Sequence, residues 1–147
     1  MKVLRLFLLV IFSATFALQS QAKSRKEKAP EVLTIYVFGV SQDLSDSIIY
    51  MTDILPVAGA TMLPHEILDN HQYYSEQLKK YMENTLHLQH QTVTFYYSRK
   101  RQNIEKQFVK VQEKTKKHSA KMPVFKQIAS EDFRFKVPVL VVAGENE

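Results

Sequence analysis

The sequence predicts an α/β or α+β domain: a single mixed sheet of four to five strands in the order β-β-α-β-α-β, with a further β at the end, covered by two helices. Three observations carry this expectation. Several short runs are dense in β-branched and aromatic residues, two longer segments repeat apolar residues at the helical period, and the two kinds alternate along the chain. Composition agrees, because 45% hydrophobic and 24% charged residues in 147 can build a core and are far from a disordered polymer. The 3 glycines exclude a collagen-like repeat, and the absence of Cys excludes disulfides, zinc-thiolate sites, iron–sulfur clusters and a cysteine nucleophile.

The elements follow in order. Lys2 and Arg5 precede an apolar run from Leu6 to Leu18, and Ser20 and Ala22 are the small residues a signal peptidase inspects, so residues 1–22 are expected to be a cleaved signal peptide. The apolar run is short for a ~30 Å hydrocarbon core, which leaves no transmembrane anchor after cleavage. Residues 23–31, rich in lysine and without a large apolar side chain, are expected to be a disordered basic leader, and 32–147 a single small globular domain.

Val32–Phe38 is β-branched and aromatic up to Gly39 and predicts a largely buried strand. The cluster Ser41–Ser47 predicts a turn, and Ile48–Ile54 a second strand antiparallel to the first, stopped by Pro56 and Gly59. Tyr74, Leu78, Tyr81, Met82 and Thr85 share one face of a helix for which Asn70 is the candidate N-cap. Gln91–Tyr97 predicts a third strand ended by Ser98. Ile104, Phe108, Val111 and Thr115 then mark a second helix with a lysine-rich outer side, on which Glu113 and Lys117 are spaced as an i, i+4 ion pair. Pro123–Ile128 predicts a strand, and Phe133–Phe135 with Val137–Val142 one more. Both helices are expected on one face of the sheet.

Around Val37-Phe38-Gly39-Val40-Ser41, and again at Asp46–Ile54, the chain resembles a family of small exported bacterial proteins of unknown function. The Tyr74–Tyr81 and Arg99–Lys117 helices and Glu131-Asp132-Phe133-Arg134-Phe135 are similar in kind, whereas Val137–Glu147 lies outside the likeness. The resemblance implies export and carries over no functional residue.

Charge is segregated along the chain. Residues 41–90 hold seven carboxylates against two lysines, and residues 99–126 hold ten cations against two carboxylates. The second helix is therefore a basic rod, and Lys106, Lys110 and Lys114 are candidate contacts for an acidic protein or an anionic envelope component. The plainer reading is a solvated lysine face. Nucleic acid is a poor candidate, since export removes it and Tyr96 and Tyr97 lack the glycine-aromatic pattern of an RNA-binding strand.

At the start of that helix, Ser98-Arg99-Lys100-Arg101 sets three cations where the macrodipole favours negative charge. With Asp53 at the same sheet edge they would form an anion-binding mouth; the plainer reading is that Asp53 pairs with the arginines. No cofactor and no metal is expected: His87-Leu88-Gln89-His90 lacks a third ligand, and Asp43-Leu44-Ser45-Asp46 lacks the calcium-loop frame and is better explained as a capped turn. No G-x-S-x-G elbow or tied Ser–His pair is present. The leading expectation is an exported, periplasmic or secreted, non-enzymatic interaction protein that presents its basic helix to an acidic partner. The alternatives are a small hydrolase or transferase acting on an anionic substrate at the Asp53 mouth, and an assembly role in which a sheet edge pairs with another chain.

Overall fold

A computed structural model describes residues 28–139. The expected signal peptide, most of the leader and residues 140–142 of the last expected strand lie outside this range. The described chain is α+β: a mixed sheet of six strands with two helices. The strands are β1 (Glu31–Gln42), β2 (Ile48–Thr52), β3 (Leu55–Leu63), β4 (Ile67–Leu68), β5 (Thr92–Ser98) and β6 (Val124–Ile128); the helices are α1 (His71–Asn84) and α2 (Arg101–His118).

The centre is β1. Its residues Val37 to Ser41 are buried in succession, as in a strand covered on both faces. One edge of β1 pairs antiparallel with β5, and the other pairs antiparallel with β3 over its first half and β2 over its second. Beyond these, β6 adds in parallel to β2 and β4 antiparallel to β3. The sheet thus exceeds the four to five expected strands because Pro56 and Gly59 do not stop the chain. Pro56 lies in β3 opposite Tyr36, outside the stretch of β3 that β4 pairs, so its missing N–H is not needed there. Gly59 has φ +81° where the register against β1 shifts by one residue, a bulge that only the left-handed conformation permits cheaply. Glu31 belongs to β1, paired with Met62, and not to a leader.

A second irregularity falls between β2 and β3. Val40 pairs with Met51 and Val37 with Leu55, so one extra residue is inserted around Asp53 and Ile54. The Gly39 amide donates instead to the buried Thr52 Oγ1 at 2.9 Å, and the Thr52 hydroxyl donates to the Asp53 carbonyl at 3.1 Å. A side chain here replaces a rung of the ladder.

The helices lie on opposite faces, not on one. Tyr74, Leu78 and Met82 of α1 pack with Ile35, Val37, Val57, Met62 and Ile128. Ile104, Phe108 and Val111 of α2 pack with Phe38, Val40, Ile49 and Met51 on the other side. The reason is topological. β5 and β6 run in the same direction at opposite edges, so α2 must cross the face of β1 and β2 to join them. β1 in turn offers apolar side chains at both parities, Ile35 and Val37 to one helix and Phe38 and Val40 to the other.

Residues 129–139 form no strand. They lie over the α1 face as a strap, with Phe135 buried among Tyr74 and Phe95, and Phe133 against Tyr81 at 5.0 Å between ring centroids. Gln77 of α1 holds the strap by its backbone, donating to the Lys136 carbonyl and accepting from the Lys136 amide, each at 2.8 Å. An extended apolar sequence therefore finds a glutamine side chain and an aromatic cluster where it was expected to find a neighbouring strand. Asn70 does sit at the N-cap position of α1, but with φ +54° and no side-chain cap bond, so it serves as a left-handed turn residue.

Candidate functional site

The basic helix is built by its own periodicity. Ile104 is fully buried, Phe108, Val111 and Thr115 are half-buried, and the Phe108 ring meets Phe38 edge-on at 5.0 Å. That geometry sends Lys106, Lys110, Lys114 and Lys117 to solvent. Among the described residues none of these four lies within ion-pair distance of a carboxylate. The i, i+4 pair on α2 is Arg101 with Glu105 at 2.8 Å rather than Glu113 with Lys117. Glu105 also raises the pKa of the Arg101 guanidinium by accepting its hydrogen bond and by its charge. The far end of α2 is favourably charged, with Lys116, Lys117 and His118 in the last turn near the negative pole of the helix. Val109, about half exposed, interrupts the lysines with an apolar spot flanked by Glu105 and Glu113.

The anion mouth does not assemble. Asp53 sits on the β6 side of the sheet, where its carboxylate accepts from the Gln127 amide and, at 2.9 Å, from the Ser130 backbone N–H. Its own amide donates to the Ile128 carbonyl at 3.2 Å. Asp53 is thus the staple that fixes the end of β6 and the start of the strap. It pairs with neither arginine, so the plainer expectation for it is corrected as well.

Ser98 and Arg99 lie across β1, at the end of β5. Ser98 Oγ accepts from the Lys100 amide at 3.2 Å, and Arg99 reaches Glu31 at 3.1 Å. Arg99 and Lys100 precede α2, whose helical residues begin at Arg101, so only one of the three cations opposes the dipole from within the first turn. Ser98, Arg99, Lys100 and Asn103 line a hollow of about 220 Å³ with Glu66 and Tyr97, and the buried Arg99 Nε has no hydrogen-bond partner among the described residues. The Tyr97 hydroxyl accepts from the Leu68 amide at 3.2 Å and donates to the Glu66 carbonyl, tying β5 to the short β4.

A larger cleft, about 450 Å³, lies between the β1–β2 turn and the α2–β6 loop, where Asp43 and Asp46 face His118 and Lys121. Sequence reasoning missed it, because the two walls are separated by about seventy residues and meet only through the β2–β6 pairing. Asp43 closes a capped turn as expected: its Oδ1 accepts from the Ser45 amide and hydroxyl, each at 2.8 Å, and these bonds hold its pKa below the usual carboxylate value. His118 Nδ1 lies 2.8 Å from the Lys114 carbonyl. His87 and His90 stand in the loop after α1, both in left-handed backbone, rather than on one helical face.

No helix of the described residues is long and apolar enough to cross a membrane. Compared with known protein families, curated proteins and solved structures, the chain matches none.

Proposed function

We propose that the protein is an exported, non-enzymatic interaction module of the bacterial envelope that presents α2 to an acidic partner. The observation that carries this is the row Lys106, Lys110 and Lys114, held outward by the burial of Ile104 and left without ion pairs among the described residues. Lysines so placed act over a Debye length of about 8–10 Å and raise the encounter rate with a negatively charged surface. The leader of residues 1–22 and the resemblance to small exported proteins support the compartment. Asp53, Ser98, Arg99 and Arg101 are engaged in separate structural contacts, which speaks against a hydrolase or transferase centre there.

The test reverses the charge at Lys106, Lys110 and Lys114 together, each to Glu, and measures the fraction of protein that sediments with isolated envelopes across a salt series. Loss of sedimentation and of its salt dependence is expected, and protease treatment of the envelopes separates a protein partner from an anionic envelope component. Unchanged sedimentation refutes the proposal. Mass spectrometry of the accumulated form should find Lys23 at its start; a chain retaining Met1 in the cytosol refutes export.

A further inference from the structure

The outer edge of β5 has no backbone partner among the described residues; its pairing is with β1 alone. Edge strands are normally blunted by a charge, a proline, a bulge or shortness. The opposite edge strand, β6, has five residues and carries Lys126. β5 runs for seven residues, Thr-Val-Thr-Phe-Tyr-Tyr-Ser, with no charge, proline, glycine or register shift. We propose that β5 is a dimerisation edge, and that its occupant is a second copy of this chain added antiparallel about a two-fold axis at Phe95.

The argument for this occupant is charge. An antiparallel two-fold at Phe95 sets Thr92 opposite Ser98 of the second copy, Val93 opposite its Tyr97 and Thr94 opposite its Tyr96, all uncharged pairs of the β-branched and aromatic kind that stabilise sheets. The same operation brings Arg99 and Lys100 level with Gln91 and His90 of the second copy. Gln42 pairs with Thr92, so Asp43 lies level with Gln91, one strand further in. The basic end of each β5 therefore meets the acidic Asp43–Asp46 turn of the other copy, two strand spacings or roughly 10 Å away, within reach of long side chains and of the Debye length. Lys100, the cation of this end that has no ion pair among the described residues, acquires a partner in this arrangement.

The experiment is sedimentation velocity of the protein purified in the form cells accumulate, over a wide concentration range at low and high salt. A monomer–dimer equilibrium weakened by salt is expected. Thr94 is exposed, so T94K keeps the β1 pairing while placing two lysines diagonally across the new ladder; it should weaken dimerisation about tenfold. K100E should weaken it several-fold while leaving the melting temperature equal or higher, because a carboxylate suits the start of α2. With no native Cys, a nitroxide on T94C reports the register directly, since the two labels would sit on Cα atoms about 7–8 Å apart and broaden each other's spectrum. A monomer at every concentration overturns the proposal and would leave the edge to an extended peptide of another protein. A dimer indifferent to T94K, or one without spectral broadening, overturns it equally.

Discussion

Gly39 is where the fold is least tolerant of one added carbon. It lies in the middle of β1, and a Cβ built on it would come to 2.4 Å from Leu78 Cδ2 and 3.0 Å from Phe135 Cζ. Neither neighbour has room to withdraw: Leu78 is fully buried on α1, and Phe135 is packed by Tyr74, Phe95 and Phe133. Gly39→Ala is expected to gain about 0.5–1 kcal/mol from the reduced freedom of the unfolded chain and to lose about 1–3 kcal/mol to overpacking, a net destabilisation of up to about 2.5 kcal/mol. With a urea slope of about 2 kcal/mol/M this lowers the unfolding midpoint by up to about 1.2 M. Leu78→Ala alone should cost about 2–5 kcal/mol through its cavity. Because that cavity lies where the new methyl goes, the double substitution should be less destabilised than the two separate losses together, by a coupling of about 0.5–3 kcal/mol. A stabilising Gly39→Ala, or strict additivity with Leu78→Ala, would refute the close approach of α1 to β1.

Further expectations concern the same frame. Thr52→Val keeps the shape but removes the acceptor of the buried Gly39 amide, so chemical denaturation should show a loss of about 1–3 kcal/mol that Thr52→Ser largely avoids. Gly59→Ala meets only Val137 Cγ2 at 3.9 Å, so its expected cost of about 1–2 kcal/mol is backbone strain at φ +81°, and Gly59→Asn should cost less in the same melts. Burial, then the Asp69 carboxylate, raises the Tyr74 pKa above 10.0. The folded state thus holds that proton more tightly than the unfolded state; its contribution is complete below the unfolded pKa and is lost as pH rises through the folded one. Stability measured across the alkaline range should fall, and Tyr74→Phe should flatten the fall; parallel curves for the two proteins would contradict the assignment.

The helices and their inner faces were legible in the sequence because helical amphipathicity is local: Tyr74, Leu78 and Met82 declare one stripe, and Ile104, Phe108 and Val111 another, without reference to anything distant. Strands β1, β2, β5 and β6 were legible for the same reason, as runs of residues that suit a pleated surface. The outward lysines of α2 follow from the same periodicity, so the leading candidate surface needed no tertiary information. β3 was not legible, because Pro56 and Gly59 read as breakers until β1 supplies a partner and the register absorbs Gly59 as a bulge. The strap at 133–139 has strand composition, yet Gln77, nearly sixty residues earlier, claims its backbone.

The partners of polar groups were likewise beyond a sequence reading. Asp53 stood in the chain as a candidate for arginines, but the parallel pairing of β6 with β2 delivers Gln127 and Ser130 to it first. Arg99, expected at an anion-binding mouth, meets Glu31 because β1 begins beside it. What the sequence alone determined is the set of elements whose cause is nearest-neighbour chemistry, the alternation of side chains along a strand or around a helix. Tertiary structure decided which face each helix covers, which breaker is tolerated and which charge is already satisfied. Those outcomes depend on contacts between residues far apart in the chain, and no local pattern encodes a hydrogen bond whose donor lies 77 residues from its acceptor.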